Sequence, residues 1–239
     1  IATFMSFVST NYWDKNTFKR ESKKIYDACL EEEGYLFTTK HENIDYQNNY
    51  LKGIIQYVIW SRVIICPSCT SEFNFWDVAY DDDDNRKKEI QCPSCKTKAE
   101  SRKFTSRIVT KKDHALNNIT NTLKENPVQI NYISFKNNKK KRFNKKPDEQ
   151  DYAIINKSES DPILNWFPKS PIMFKGKQWG DTFDKNNYPG VTHVPHFYTM
   201  RNMRTISNFF DKIKTSNSDI KKLLLFWFTA SQSRLHKMN

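Results

Sequence analysis

Two Cys-Pro-Ser-Cys segments, Cys66-Pro67-Ser68-Cys69 and Cys92-Pro93-Ser94-Cys95, carry the residues best suited to chemistry in this 239-residue chain. Four thiolates in two close pairs form a tetrahedral site that suits Zn²⁺. Each pair ends an apolar stretch, Val63-Ile64-Ile65 or Ile90, and Pro followed by Ser favours the tight turn that aims both sulfurs at one ion. A redox Cys-x-x-Cys normally occurs once and opens a helix, whereas this one occurs twice with Phe73, Phe75, Trp76, Val78 and Tyr80 between. The layout is that of a zinc ribbon. A site closed by four sulfurs leaves no position for water or substrate, so the zinc is expected to be structural.

The second chemical feature is a run of cations, Lys139, Lys140, Lys141, Arg142, Lys145 and Lys146. Such a run can lie against phosphates, each contact adding salt-sensitive, sequence-independent affinity, or it can be a solvated basic hairpin. His193 and His196, with Tyr198 and Arg201, form the one polar cluster resembling an active site, yet nothing near them supplies a nucleophile with its base. A structural or substrate-positioning role is expected, and His193, His196 and Arg201 join the candidate nucleic-acid contacts. Asp81-Asp82-Asp83-Asp84-Asn85 lacks the glycine and closing glutamate of a calcium loop and reads as a solvated hairpin tip. The five glycines are scattered, so neither a P-loop nor a dinucleotide fingerprint is present.

The elements that must position these groups follow from periodicity. Phe18, Ile25, Tyr26 and Leu30 predict an amphipathic helix over 16–33, stopped near Gly34. From Tyr50 to about Ile108 short strands are expected at 54–60, 63–65, 73–80 and 104–109. Residues 128–135 alternate as a strand leading into the basic run, and Pro147-Asp148-Glu149 opens a short helix with Pro near its first position. From Pro162 to Gly190 a long ordered loop is expected, pinned by Trp166, Phe167, Phe174 and Trp179. A helix from Met200 to about Lys214, with Thr199 as N-cap, and a last helix over 218–238 complete the chain.

Hydrophobic residues at 37%, with 14% aromatic, suffice for a real core, and no apolar run reaches the roughly 18 residues of a membrane span. A net charge of +12 makes polyanions the expected partners, nucleic acid first, although an AT-rich genome would also enrich Lys, Asn and Ile. Cys29 is a fifth, unpaired cysteine, and an odd thiol beside a thiolate site fits a reducing, cytoplasmic setting. The chain opens on Ile1 and closes inside an apparent helix, so both ends are expected to be cut.

The order of these motifs resembles a known family. Val63-Ile64-Ile65-Cys66-Pro67-Ser68-Cys69, Phe75-Trp76-Asp77-Val78-Ala79, Cys92-Pro93-Ser94-Cys95, Lys146-Pro147-Asp148-Glu149, Gly190-Val191-Thr192-His193 and His196-Phe197-Tyr198-Thr199-Met200-Arg201-Asn202 together are similar to bacterial adenine-specific DNA methylases that contain a zinc ribbon. The resemblance spans nearly the whole chain and implies an α+β fold, a β-rich zinc ribbon inserted among helices of an incomplete Rossmann-like methyltransferase. It divides the chain into a helical segment at 1–49, the ribbon at 50–110, a basic strand and loop insert at 111–190, and a second helical segment at 191–239. The residues at 1–4 would open the helix after the second Rossmann strand. In that family a glycine-rich S-adenosylmethionine motif lies upstream and the catalytic Asp-Pro-Pro-aromatic loop downstream. Neither occurs here, so no catalytic or cofactor-binding role transfers to any residue of this chain. The implied partners are DNA and the rest of the methyltransferase, in a restriction-modification setting. The competing readings are a non-enzymatic zinc-ribbon module that binds nucleic acid and a scaffold within a defence or restriction complex.

Overall fold

A computed structural model describes residues 2–44, 50–80, 85–136, 139–172, 189–216, 219–232 and 235–236, and no side chains at 42–51 or 136–139. The fold is mixed α+β, and every strand pairing among the described residues is antiparallel. The hairpin tip expected at 81–84, together with Phe174 and Trp179, lies outside the described residues.

The central sheet has the order β1 (Thr38–Ile44), β2 (Tyr50–Ile65), β9 (Glu125–Lys136), β10 (Lys139–Lys145). Instead of two short strands, β2 is one element of 16 residues, because Ser61 and Arg62 continue the extended backbone rather than break it. Its first part pairs with β1 and β9, while Ile64 and Ile65 pair with β3 (Glu72–Asn74) and β6 (Thr105–Ser106). One strand therefore belongs to both the sheet and the cysteine subdomain. The β2–β9 register shifts twice, between Ile55 and Tyr57 and between Ile59 and Trp60. Pro127, which has no N–H to donate, sits opposite Trp60 at the second shift, where a ladder tolerates it.

Alternation along these strands gives the sheet two unlike faces. Ile55, Ile130 and Tyr132 are buried on one, with Val58 and Phe143 beside them. The Tyr132 ring lies flat over Gly53, where an added Cβ would come within 2.3 Å of Cδ2, so only glycine fits. The Tyr132 hydroxyl meets His41 Nδ1 at 2.9 Å. This face is covered by α4 (Glu149–Ser160), whose Asp151 accepts a hydrogen bond from Thr39 Oγ1 at 2.6 Å.

Helix α4 begins two residues later than the sequence suggested. Asp148 is its N-cap, in a reciprocal capping box with Asp151, so Pro147 precedes the cap instead of occupying the first turn. Helix α1 (Ala2–Thr10) packs on α6 (Lys221–Gln232), which is shorter than the 218–238 expected. Helix α2 (Lys15–Glu33) is capped by Asp14 and gives way at Gly34 to a tight turn, Gly34–Phe37. It packs with α5 (Met200–Thr215) and α6 around Ile25, Cys29, Ile213, Ile220 and Leu224. Thr199 caps α5 as its sequence predicts, accepting from Asn202 N–H. Phe167 is buried against Met203 and Ala115, and Trp166 stacks near Phe210, which anchors residues 163–167 to α5.

Candidate metal centre

The cysteine subdomain comprises β3, α3 (Phe75–Ala79), the hairpin β4 (Glu89–Gln91) with β5 (Lys98–Glu100), and β6. The strand expected over 73–80 is corrected here: it stops at Asn74 and a helical turn follows. Asn74 takes the extended N-cap conformation, Asp77 lies in the first turn, and Trp76 N–H is satisfied by Ser61 Oγ of β2 at 2.9 Å. Phe75, Val78 and Ala79 at helical spacing then pack on Ile64, Ile90, Phe104 and two of the cysteines.

The two knuckles are built alike. In the first, Thr70 N–H bonds Cys66 C=O and Cys66 N–H bonds Ser71 C=O; in the second, Lys96 N–H bonds Cys92 C=O and Cys92 N–H bonds Thr97 C=O. Closing each turn requires a left-handed residue directly after the second cysteine, Thr70 (φ 60°) and Lys96 (φ 62°). All four Sγ atoms lie within 4.8 Å of one another. Cys66 Sγ is 3.6 Å from Cys95 Sγ and Cys69 Sγ is 3.7 Å from Cys92 Sγ. A disulfide would need about 2.05 Å. A tetrahedron of metal–sulfur bonds about 2.3 Å long has edges of roughly 3.8 Å, so the cluster fits a tetrahedral thiolate-bound ion.

Hydroxyls just beyond the cysteines supply the outer contacts. Ser71 Oγ lies 3.0 Å from Cys69 Sγ and 3.3 Å from Cys92 Sγ, and Thr97 Oγ1 lies 3.2 Å from Cys95 Sγ. Ser68 N–H donates to Cys66 Sγ at 3.4 Å. Burial raises the Cys92 thiol, but hydrogen bonds from Ser71 and from the Cys95 and Ser94 N–H groups outweigh it and hold the thiol at about 6. The Thr97 hydroxyl and N–H lower Cys95 as well, whereas burial raises Cys66. Cys92 is thus poised to carry negative charge at neutral pH, and a bound cation would draw the protons from the other thiols. Cys29 differs: buried on α2, its thiol is pushed by desolvation up to about 11, so it acts as a packing residue.

The candidate nucleic-acid residues do not form one surface. β10 is a strand, so its cations alternate between faces. Lys140 pairs with Phe135 and Arg142 with Ile133 on the open side, and both are exposed, as are Lys141 and Lys146. Lys139 pairs with Lys136 across the hairpin. Lys145 is buried, with its Nζ 2.7 Å from Asp148 and 2.9 Å from Asp151, so it leaves the phosphate-facing set and serves as an internal counter-ion. Arg201 leaves it too. It is buried beneath Leu36, whose carbonyl accepts from it at 3.2 Å, with Phe37 against its guanidinium at 5.0 Å. Burial draws its pKa down to about 10, which keeps it charged at neutral pH.

His196 is fully engaged. Its Nδ1 accepts from the Thr192 and His193 N–H groups at 2.9 and 3.2 Å, which fixes the proton on Nε2, and Nε2 donates to Asp113 at 2.7 Å. Asp113 accepts in turn from Ala115 and Leu116 N–H groups. This chain ties the 192–197 turn to the hairpin β7 (Ile108–Asp113) and β8 (Asn118–Leu123). His193 Nδ1 lies 2.8 Å from Thr192 Oγ1 and is half-buried in the same turn. The two histidines hold a loop, His196 through both ring nitrogens and His193 through Nδ1. A cavity of about 420 Å³ beside them has walls of mixed charge, Arg62 and Lys111 against Glu125 and Glu159, with Trp60 and Tyr198.

Sequence reasoning missed Ser71 and Thr97, although a hydroxyl two residues after each second cysteine was the available signal. It missed Asp113 and Asp151, whose partners lie 83 and 6 residues away. No family profile, curated protein or solved structure matches the chain.

Proposed function

We propose that this chain is the zinc-ribbon-bearing, nucleic-acid-binding region of an S-adenosylmethionine-dependent DNA adenine methyltransferase, with zinc in a bracing role and the methyl-transfer groups carried elsewhere. The observation that carries the metal part is the tetrahedral spacing of Cys66, Cys69, Cys92 and Cys95, supported by hydroxyl contacts and an N–H donor at the sulfurs. The four sulfurs are spaced for a single tetrahedral ion rather than a multi-iron cluster, and metal analysis separates zinc from a lone iron. Cys66 and Cys69 would bind from the end of β2, and Cys92 and Cys95 from the end of β4, locking the two together as a structural ion does.

The net charge of +12 and the exposed Lys140, Lys141, Arg142 and Lys146 support a polyanionic partner. The methyltransferase assignment rests on the order of motifs from Val63 to Asn202. In such an enzyme the target adenine is flipped from the duplex before its amine is methylated, and this region contributes backbone contacts around that event.

Metal content of the purified protein should be one zinc per chain, falling below half in Cys92→Ala. Methyl transfer from labelled S-adenosylmethionine to DNA, assayed with the full reading frame that encodes these residues, should label adenine. DNA binding without any transfer would replace the methyltransferase reading with a non-enzymatic zinc module, and absence of both would remove DNA from the account.

A further inference from the structure

The sheet face opposite α4 is buried at Asn131 and Ile133 and exposed around them, and its composition is unlike that of an ordinary solvated sheet. By register it carries Lys52 and Ile54 on β2, Tyr57 after the bulge, Asn131, Ile133 and Phe135 on β9, and Lys140 and Arg142 on β10. Ile54, Tyr57 and Phe135 are 49%, 52% and 55% exposed, while Lys52, Lys140 and Arg142 are exposed around them. Large apolar groups in the middle of a half-solvated antiparallel sheet cost solubility, and most such faces present polar side chains.

The bulge between Ile55 and Tyr57 makes this arrangement possible. It shifts the alternation by one residue, so that Tyr57, which would otherwise point toward the helices with Ile55, joins Ile54 on the open side. Tyr57 pairs with Asn131 and Phe135 lies four residues farther along β9, so the two rings are separated by roughly 14 Å along the strand. Ile133, buried, lies between them on β9, and Asn131 beside Tyr57 donates to Asn144 at 2.6 Å while its own Oδ1 is buried with no hydrogen-bond partner among the described residues.

We propose that this face binds single-stranded DNA, with unpaired bases stacked on Tyr57 and Phe135 and the backbone held by Lys52, Lys140 and Arg142. Charge complementarity selects the occupant. Aromatic groups ringed by cations suit a strand whose bases expose π-faces and whose phosphates are negative, whereas an apolar protein partner would leave those cations buried without counter-ions. A duplex keeps its bases stacked internally and would meet only the cations. The proposal rests on the nucleic-acid reading above and deepens it by naming the form of DNA and the face that takes it.

The test uses the zinc-loaded protein and a fluorescein-labelled twelve-nucleotide oligothymidylate, with a duplex of equal length beside it, read by anisotropy across a salt series. Tyr57→Ala with Phe135→Ala should weaken single-strand binding by about tenfold or more while leaving the salt slope unchanged, because stacking releases no counter-ions. Lys140→Ala with Arg142→Ala should reduce the slope by roughly 1.4, or about 0.7 per lost phosphate contact on a single strand. Both pairs are exposed, and circular dichroism with zinc content would verify that each variant is folded. Duplex binding that is equal or tighter, and indifferent to Tyr57 and Phe135, overturns this face while leaving the DNA reading intact. Failure to bind either probe overturns both. Self-association that disappears in the aromatic double variant, without single-strand binding, would assign the face to a second copy of the chain and also overturn the proposal.

Discussion

Lys145 and Lys141 are four residues apart in the same basic run, yet they have opposite roles. Lys145 is an internal cation between the part-exposed Asp148 and the buried Asp151, and its removal leaves Asp151 buried without a counter-ion; Lys145→Met should cost about 3 kcal/mol by urea unfolding. Lys141→Ala, at an exposed site, should stay within about 0.5 kcal/mol. The pair also sets a pH dependence. Burial raises Asp148, but the hydrogen bonds from Lys145 and the Asp151 N–H, together with the Lys145 charge, outweigh it and hold the carboxyl below its ordinary value. A depressed carboxylate contributes stability that is fully present above the unfolded pKa, about 3.9, and is lost as pH falls through the folded value. Acid unfolding should therefore be steeper below pH 4 in the wild type than in Lys145→Met, and equal slopes would dissolve the link. At the metal site, Ser71→Ala should weaken zinc binding by roughly tenfold in competition with a chromophoric chelator. Ser68→Ala, which removes no side-chain contact to sulfur, serves as the control. Both cysteine pairs were legible from spacing alone, since a knuckle is local. The ion pairs were not, because a run of lysines looks the same whether a strand will bury one of them or none.

At the scale of elements, β2 decides the most. Its 16 residues couple the helix-covered sheet to the knuckles, its Ser61 caps α3, and its bulge sets which aromatic groups face solvent. Gly53 is the point where this strand admits no side chain. Tyr132 over it is buried and its hydroxyl is bound to His41, so the ring cannot move aside. Gly53→Ala should cost about 2 kcal/mol, measured as a shift in urea midpoint with unchanged m-value, and a neutral result would mean that the ring relaxes freely. Helices α2, α4 and α5 were legible because apolar periodicity and caps are local signals. The short strands around the knuckles were misjudged where Phe73 to Tyr80 fits both periods; the choice of a helical turn came from Ser61, fifteen residues earlier in the chain.

For the whole molecule, metal and fold should be coupled through the shared strand. If the centre braces the end of β2, chelation should lower the unfolding temperature by on the order of 10 °C, and amides of β3, β6 and residues 63–65 should exchange first. An unaltered melting curve would make the cysteine subdomain an independent appendage. No helix among the described residues is long and apolar enough to cross a membrane. By itself the sequence determined the pairing of the four clustered cysteines, the amphipathic helices, the Thr199 N-cap and the basic character, because each depends on residues within a few positions of one another. Only the tertiary structure decided that β2 is continuous, that Lys145 and Arg201 are buried, that His196 is locked to Asp113, and that Ile54, Tyr57 and Phe135 share an exposed face with cations. Those outcomes depend on strand register and on partners distant in the chain, and register is fixed by which side chains can be buried together.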